Sequence, residues 1–293
     1  MALAKGTEEE VSVAPSREVG TLGLALANPG VLWGGALLAA MALLAIVGPF
    51  FTVDPMALNP IQRLKPPSAE VWFGTDFLGR NVFARVVSGA RVSLVVGVSV
   101  AIIAIAIGLL LGMVAGYIRA LDAPIMRVMD GLMSIPGILL AIALVSLSGA
   151  TLTTVIVAIV VPEIPRVVRL VRSVVLTVRE EPYVEAAIAA GTRTHLVMTR
   201  HILPNTIAPL IVQATYICGS AMLLEAILGF LGAGIPPEIP SWGNIMSEGR
   251  TYFQISPWII FWPGILLAAT VLAVNVMGDG LRDTLDPRIA RSM

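Results

Sequence analysis

Charge is scarce in this sequence. Asp, Glu, Lys and Arg make up only 13% of the 293 residues, about half the share of an ordinary soluble domain. A chain this poor in solvating side chains does not cover a single large globule with them. Lysine is almost missing, with only Lys5 and Lys65, and neither follows a glycine-rich phosphate loop, so no nucleotide site of that type is visible. The one cysteine, Cys218, excludes an internal disulfide and reads as a small hydrophobe in an apolar run. His195 and His201 are six apart, which is not the close helical spacing of a metal pair. No metal, cofactor or catalytic residue is expected. Acidic and basic side chains balance at 19 each, so no general attraction to nucleic acid follows.

What remains is apolar: 57% hydrophobic residues and a mean hydropathy of +0.88. The apolar residues lie in long charge-free runs joined by polar loops, the pattern of an all-α polytopic membrane protein. Val31 to Phe51 holds 21 residues without a charge, which as a helix reaches about 31 Å and crosses a bilayer core. A second run covers Val92 to Ile118. The stretch Gly131 to Pro162 is too long for one helix and is split by Ser146, Ser148, Gly149 and Thr151. The split predicts spans at 125–147 and 151–171, the latter broken by Pro162, Glu163 and Pro165. Further spans are predicted at 206–230 and 258–278. Six transmembrane helices result.

Basic residues orient them. With the N-terminus inside, 13 Lys and Arg fall in inner segments against 6 in outer ones, the direction of the positive-inside rule. Residues 1–28 then read as a cytoplasmic tail, 29–88 as the first helix and outer loop, 89–280 as the core, and 281–293 as a cytoplasmic C-terminal tail. Trp242, Tyr252, Phe253, Trp258 and Trp262 are expected at the outer boundary as interfacial aromatics.

Gly108, Gly112 and Gly116 repeat every four residues, a stripe that lets another helix pack closely. Glu225 is an acid late in the fifth span. It is either a carboxylate bonded to the outer loop or neighbouring protein, or, with Trp242, part of a pathway or outer gate. Arg166, Arg169 and Arg172 share a helical face and read as topology anchors, and Asp130 and Asp279 sit at inner span ends.

The longest inner loop covers 172–205. Pro182 suits a first helical turn, and Glu180, Glu181 and Glu185 complement its dipole. Ala186, Ala187, Ala189 and Ala190 are slim helix formers, and Gly191 provides a stop. A second helix starts at Thr192 or Thr194 and ends by Pro204. Spacing alone leaves two readings open: a helix that inserts into another protein's groove, or one resting on lipid headgroups.

Glu185-Ala186-Ala187, Gly191 and Leu203-Pro204 resemble, in register, the EAA loop of binding-protein-dependent ABC transporter permeases. His201 departs from that pattern, which has a hydrophobic residue there. Phe73-Gly74-Thr75-Asp76 through Gly79-Arg80, with Ser88-Gly89-Ala90-Arg91, resembles the dipeptide/oligopeptide permease C-type subunit. So do Leu224-Glu225-Ala226 through Phe230-Leu231-Gly232, Pro240-Ser241-Trp242-Gly243-Asn244, Gly278 to Asp283, and Leu285-Asp286-Pro287-Arg288. Nickel and glutathione permeases share these pieces.

The resemblance implies an ABC importer type I permease fold in a bacterial inner membrane, and transport of di- or oligopeptides. Its implied partners are a homologous second permease, two ATP-binding cassette subunits and an extracellular or periplasmic substrate-binding protein. ATP would be used by those cassette subunits, with none bound by this chain. Tyr183, Glu185, Ala186, Ala187, Gly191, Leu203 and Pro204 would form the contact with them. Rival readings are an ion-coupled secondary transporter, which needs a midplane ion site, and a structural scaffold indifferent to changes at 182–204.

Overall fold

The computed structural model describes residue 23 and residues 27–285. The tail expected at 1–28 falls almost wholly outside them, as do Lys5 and Arg17. Asp286-Pro287-Arg288 and Arg291 at the other terminus also lie outside the described residues.

Helix α1 (Pro29–Val47) is started by Asn28, whose Oδ1 accepts from the Gly30 N–H at 2.8 Å, and by Pro29 in its first turn. A long loop of turns leads to α2 (Val82–Tyr117), where the Asn81 side chain accepts from the Ala84 N–H. Its 36 residues reach about 54 Å, more than a bilayer needs. Helices α3 (Arg119–Met133) and α4 (Gly137–Ser148) follow, bent by 87° at their junction. α5 (Leu152–Val178) begins with reciprocal bonds between Thr151 and Thr154. The short α6 (Pro182–Ala189) and a helical turn with a π segment at Val197–Ile202 lead into α7 (Leu203–Phe230). α8 (Trp242–Arg250) and α9 (Trp258–Leu285) complete the described chain.

Among the described residues, four stretches are long and apolar enough to cross a membrane: Pro29–Phe51, Val82–Tyr117, Thr194–Phe230 and Trp258–Leu285. Taking the bent pair α3–α4 as one span gives five. Two of the six expected spans take a different form in the structure. The third is not one helix over 125–147, because Pro136 cannot continue α3 and restricts the residue before it. The fourth runs through Pro162 and Pro165 to Val178, yet Glu163, Arg166, Arg169 and Arg172 make it too charged to qualify by composition.

Tertiary contacts answer both departures. Gly137 at the start of α4 lies against Pro162, and Pro165 is buried, so both prolines sit inside packed surface. Each arginine on α5 has an acid: Arg166 reaches Glu163 at 2.9 Å, Arg169 reaches Asp130 at 2.6 Å, and Arg172 reaches Asp122 at 2.5 Å. Pairing lowers the cost of keeping a guanidinium near an apolar core.

Two apolar clusters hold the bundle. One joins α2, α4, α5 and α7 through Val96, Val100, Ala141, Val155, Ile159, Val171 and Ile217. The other joins α1, α2, α7, α8 and α9 through Ala45, Val86, Ala90, Met222, Trp242, Ile245 and Ile259. Of the aromatics expected at a lipid boundary, Phe253 is 47% exposed, whereas Trp258 and Trp262 pack on protein. The Trp258 indole donates to the Thr75 carbonyl at 3.2 Å, and Trp262 stacks on Phe73 with centroids 4.1 Å apart.

Candidate functional site

The bundle has two ends: one carries α6 and the turn after it, and the other carries the 48–81 loop and α8. At the first end, α6 closes with a pair of bonds that satisfy its last carbonyls. The Gly191 N–H donates to the Ile188 carbonyl at 2.9 Å, and the Thr192 N–H donates to the Ala187 carbonyl at 3.1 Å. The turn needs Gly191 at φ +79°, a conformation that costs other residues about 1–2 kcal/mol. Space is not the reason, because a Cβ there would meet nothing within 4 Å.

One α6 side chain, Val184, is fully buried. It joins Val178, Val197 and Ile202 in the core cluster, so the hairpin is pinned from beneath by four branched side chains. Everything else on α6 is exposed or half-exposed, including Glu185, Ala186, Ala187 and Ile188. Tyr183 is 47% exposed and held in place: Asn205 Nδ2 donates to its hydroxyl at 3.1 Å, and His201 lies beside its ring. His201, the departure from the family pattern, thus sits under the exposed tyrosine. Leu203 and Pro204 begin α7, and Pro204 borders a cavity of about 470 Å³ with Asn205, Pro209, Arg282 and Leu285.

A slim exposed helix on a buried footing can transmit force only if that footing is stiff. Arg179, three residues before α6, donates from Nη1 to the Gly116 carbonyl at 3.2 Å. Gly116 ends the glycine stripe, and the stripe meets α5 directly. A Cβ at Gly112 or Gly116 would stand 2.6 Å from the Cβ of Val171 or Val175, and one at Gly108 would overlap Val167. Three glycines against three valines bring α2 and α5 into near backbone contact. The stripe, Arg179 and α6 therefore form one continuous unit.

At the opposite end, Glu225 and Trp242 are both fully buried. The Trp242 indole has no exposure, and its Nε1–H donates to the Val86 carbonyl at 2.9 Å. Glu225 is equally buried between α7 and α2. One of its oxygens lies 3.4 Å from Ser93 Oγ, and the other has no partner among the described residues.

Beside them lies a network that sequence reading passed over. Asp76 accepts from Arg80 at 2.6 Å and Arg85 at 2.8 Å. Both arginines also reach Glu248 on α8, Arg80 at 2.5 Å and Arg85 through both terminal nitrogens. Arg80, Arg85 and Asp76 are almost wholly buried. This ion network locks the 48–81 loop onto α2 and α8. Only the density of charges in 76–85, in a chain with few, hints at it. Val184 and Ile202 carry a better signal, as branched apolar residues within a polar loop.

A family model described as "Binding-protein-dependent transport system inner membrane component" matches residues 104–291. The chain belongs to this family. The permease is 54% identical over 268 residues to the "Probable peptide ABC transporter permease protein y4tQ" of Sinorhizobium fredii, with 92% of each chain covered. Against the "Dipeptide transport system permease protein DppC" of Alkalihalophilus pseudofirmus it is 42% identical, over 89% of this chain and 87% of that one. A solved chain from the inward-facing MetNI methionine ABC transporter shares the fold, with a TM-score of 0.50 and 23% identity. That likeness covers 72% of the permease and 93% of the solved chain.

Proposed function

We propose that the permease is one transmembrane half of an ATP-driven importer for di- and oligopeptides, coupled to cytoplasmic ATPases through α6. The observation that carries the coupling role is the construction of α6. It has a buried footing at Val184, a slim exposed face at Tyr183, Glu185, Ala186 and Ala187, and a rigid connection through Arg179 to the glycine stripe. A helix merely resting on headgroups gains nothing from such a connection.

The peptide substrate is supported by the names of the relatives, several of them called peptide or dipeptide permeases at 40% identity or above. In this reading α6 and both termini face the cytosol, α5 is the remaining span beside α2, and the 48–81 and 231–257 segments face the substrate-binding protein. A homologous permease completes the path, and two ATP-binding cassette subunits supply the ATPase activity. Closure of those subunits shifts α6, and the packed α2–α5 unit transmits the shift as a rigid body between two states.

The test is uptake of a labelled dipeptide by cells carrying the complete transporter, with ATPase activity measured in parallel. Glu185→Lys reverses the charge on the docking face without touching the footing. It is expected to abolish uptake while membrane insertion persists. Normal uptake in this variant would refute the docking role, and no peptide uptake by the unaltered transporter would refute the substrate.

A further inference from the structure

The stripe also sets depth. Gly108, Gly112 and Gly116 on α2 face Val167, Val171 and Val175 on α5, a constant offset along two helices running the same way. The charge-free part of α2 lies between Arg91 and Arg119, so its midpoint is residue 105. The same offset puts residue 164 of α5 at that level, between Glu163 and Arg166. This ion pair therefore sits near the middle of the bilayer.

Its geometry is unusual for that depth. Both Glu163 oxygens accept from one nitrogen of Arg166, Nη1, at 2.9 and 3.1 Å. The Glu163 side chain is 7% exposed, whereas that of Arg166 is 48% exposed. Among the described residues, Nε and Nη2 of Arg166 take no hydrogen-bond partner, so one edge of the guanidinium fork is open. A half-exposed arginine at the bilayer centre does not face acyl chains; it faces a water-filled cavity or another protein. The positions exposed further along α5 are also polar: Arg169, Ser173 and Thr177. On α7, which packs against α5, Gln213, Tyr216 and Ser220 are at least partly exposed within an otherwise apolar run.

Charge balance separates the two kinds of partner. Glu163 and Arg166 are neutral together. A permanent carboxylate from a second subunit would leave a net negative charge at the midplane, which is costly. A zwitterionic peptide bringing its own ammonium keeps the site neutral when empty and when filled. The open fork edge also has the planar two-donor geometry that a carboxylate accepts.

We propose that the Glu163–Arg166 pair lines the translocation path and that the free edge of Arg166 binds the C-terminal carboxylate of a passing peptide. Glu163 balances and positions the arginine. The assignment rests on the reading of the chain as a peptide importer.

The test is equilibrium binding of a labelled dipeptide to the assembled transporter in nanodiscs, with the substrate-binding protein left out. Free dipeptide and its C-terminal amide serve as competitors. Arg166→Gln is expected to weaken binding of the free peptide by about tenfold or more, the value of a charge-assisted bond. The amide should compete poorly against either protein. Glu163→Gln removes the competing acid and should bind the free peptide more tightly than the unaltered protein does, an effect that a merely structural pair would not produce.

Equal binding by unaltered protein and R166Q, or equal competition by free peptide and amide, would overturn the proposal. So would the absence of binding to the unaltered complex. Loss of the second permease subunit from both R166Q and R166K would assign the pair to the subunit interface instead. If only R166Q fails to assemble, R166K becomes the measured variant and must still bind more weakly. Cells that take up dipeptide normally while these binding results fail would remove this site alone. Cells that take up no peptide would remove the substrate reading beneath it.

Discussion

Arg179 Nη1 donates to the carbonyl of Gly116 at 3.2 Å, joining the last glycine of the α2 stripe to the residue that leads into α6. The stripe, the guanidinium and the exposed helix are thereby connected in one continuous stretch of structure. Each part of that stretch has its own consequence.

Gly112→Leu places a branched side chain where Val171 already lies, 2.6 Å from the first added carbon. Overpacking of this kind costs about 1–3 kcal/mol. The expected outcome is a lowered melting temperature in detergent and loss of transport. Gly131→Leu is the control, since nothing lies within 4 Å of its Cβ position. Equal melting temperatures for the two variants would mean that α2 and α5 are not held by the stripe.

Gly191 distinguishes conformation from space. Gly191→Asn, a residue that tolerates positive φ, is expected to keep near-normal transport. Gly191→Val should cost about 1–2 kcal/mol locally and disturb the end of α6. The measurement is peptide transported per ATP hydrolysed, which falls for Val and holds for Asn. Identical ratios would show that the turn does not matter to coupling.

The buried network around Asp76 predicts strong non-additivity. Glu248→Gln or Arg85→Met alone leaves a buried charge short of its partner, at a cost of about 3–5 kcal/mol. The double variant Arg85→Met with Glu248→Gln should destabilise by less than the sum of the two. Thermal unfolding of all four proteins completes the cycle. Additive losses would mean that the charges do not act together.

Tyr183→Phe removes the bond from Asn205 but keeps the ring beside His201. Because the tyrosine is half-exposed, stability should change by less than about 1 kcal/mol. Tyr183→Ala removes exposed aromatic surface as well and should weaken recovery of the ATPase subunits on affinity purification. Equal recovery from both variants would remove Tyr183 from the docking face.

Much of this architecture is legible locally. The charge-free runs, the threonine and asparagine starts of helices, Pro182 at the head of α6 and Gly191 at its end are properties of neighbouring residues. They follow from hydropathy, φ preference and capping, which act within a few positions of the chain. The helix at Pro182–Ala189 and the glycine turn that ends it could be read for that reason. The glycine stripe announced that it would pack, though not against what.

The remaining features were decided by contacts between distant segments. Arg85 and Glu248 are separated by 163 positions, and Trp242 reaches Val86 across 156. No local periodicity encodes such meetings. Pro162 and Pro165 suggested a break in α5, but packed surface around them and acids opposite its arginines allowed the helix to continue. Pro136 produced the 87° bend in what the apolar pattern presented as a single span, because hydropathy records transfer into lipid and not direction. Local chemistry in the sequence thus determined which segments are long and apolar and which short helix lies in the polar stretch between them. Only the tertiary structure decided which buried charges are paired, which are left open, and where along α5 the open one stands.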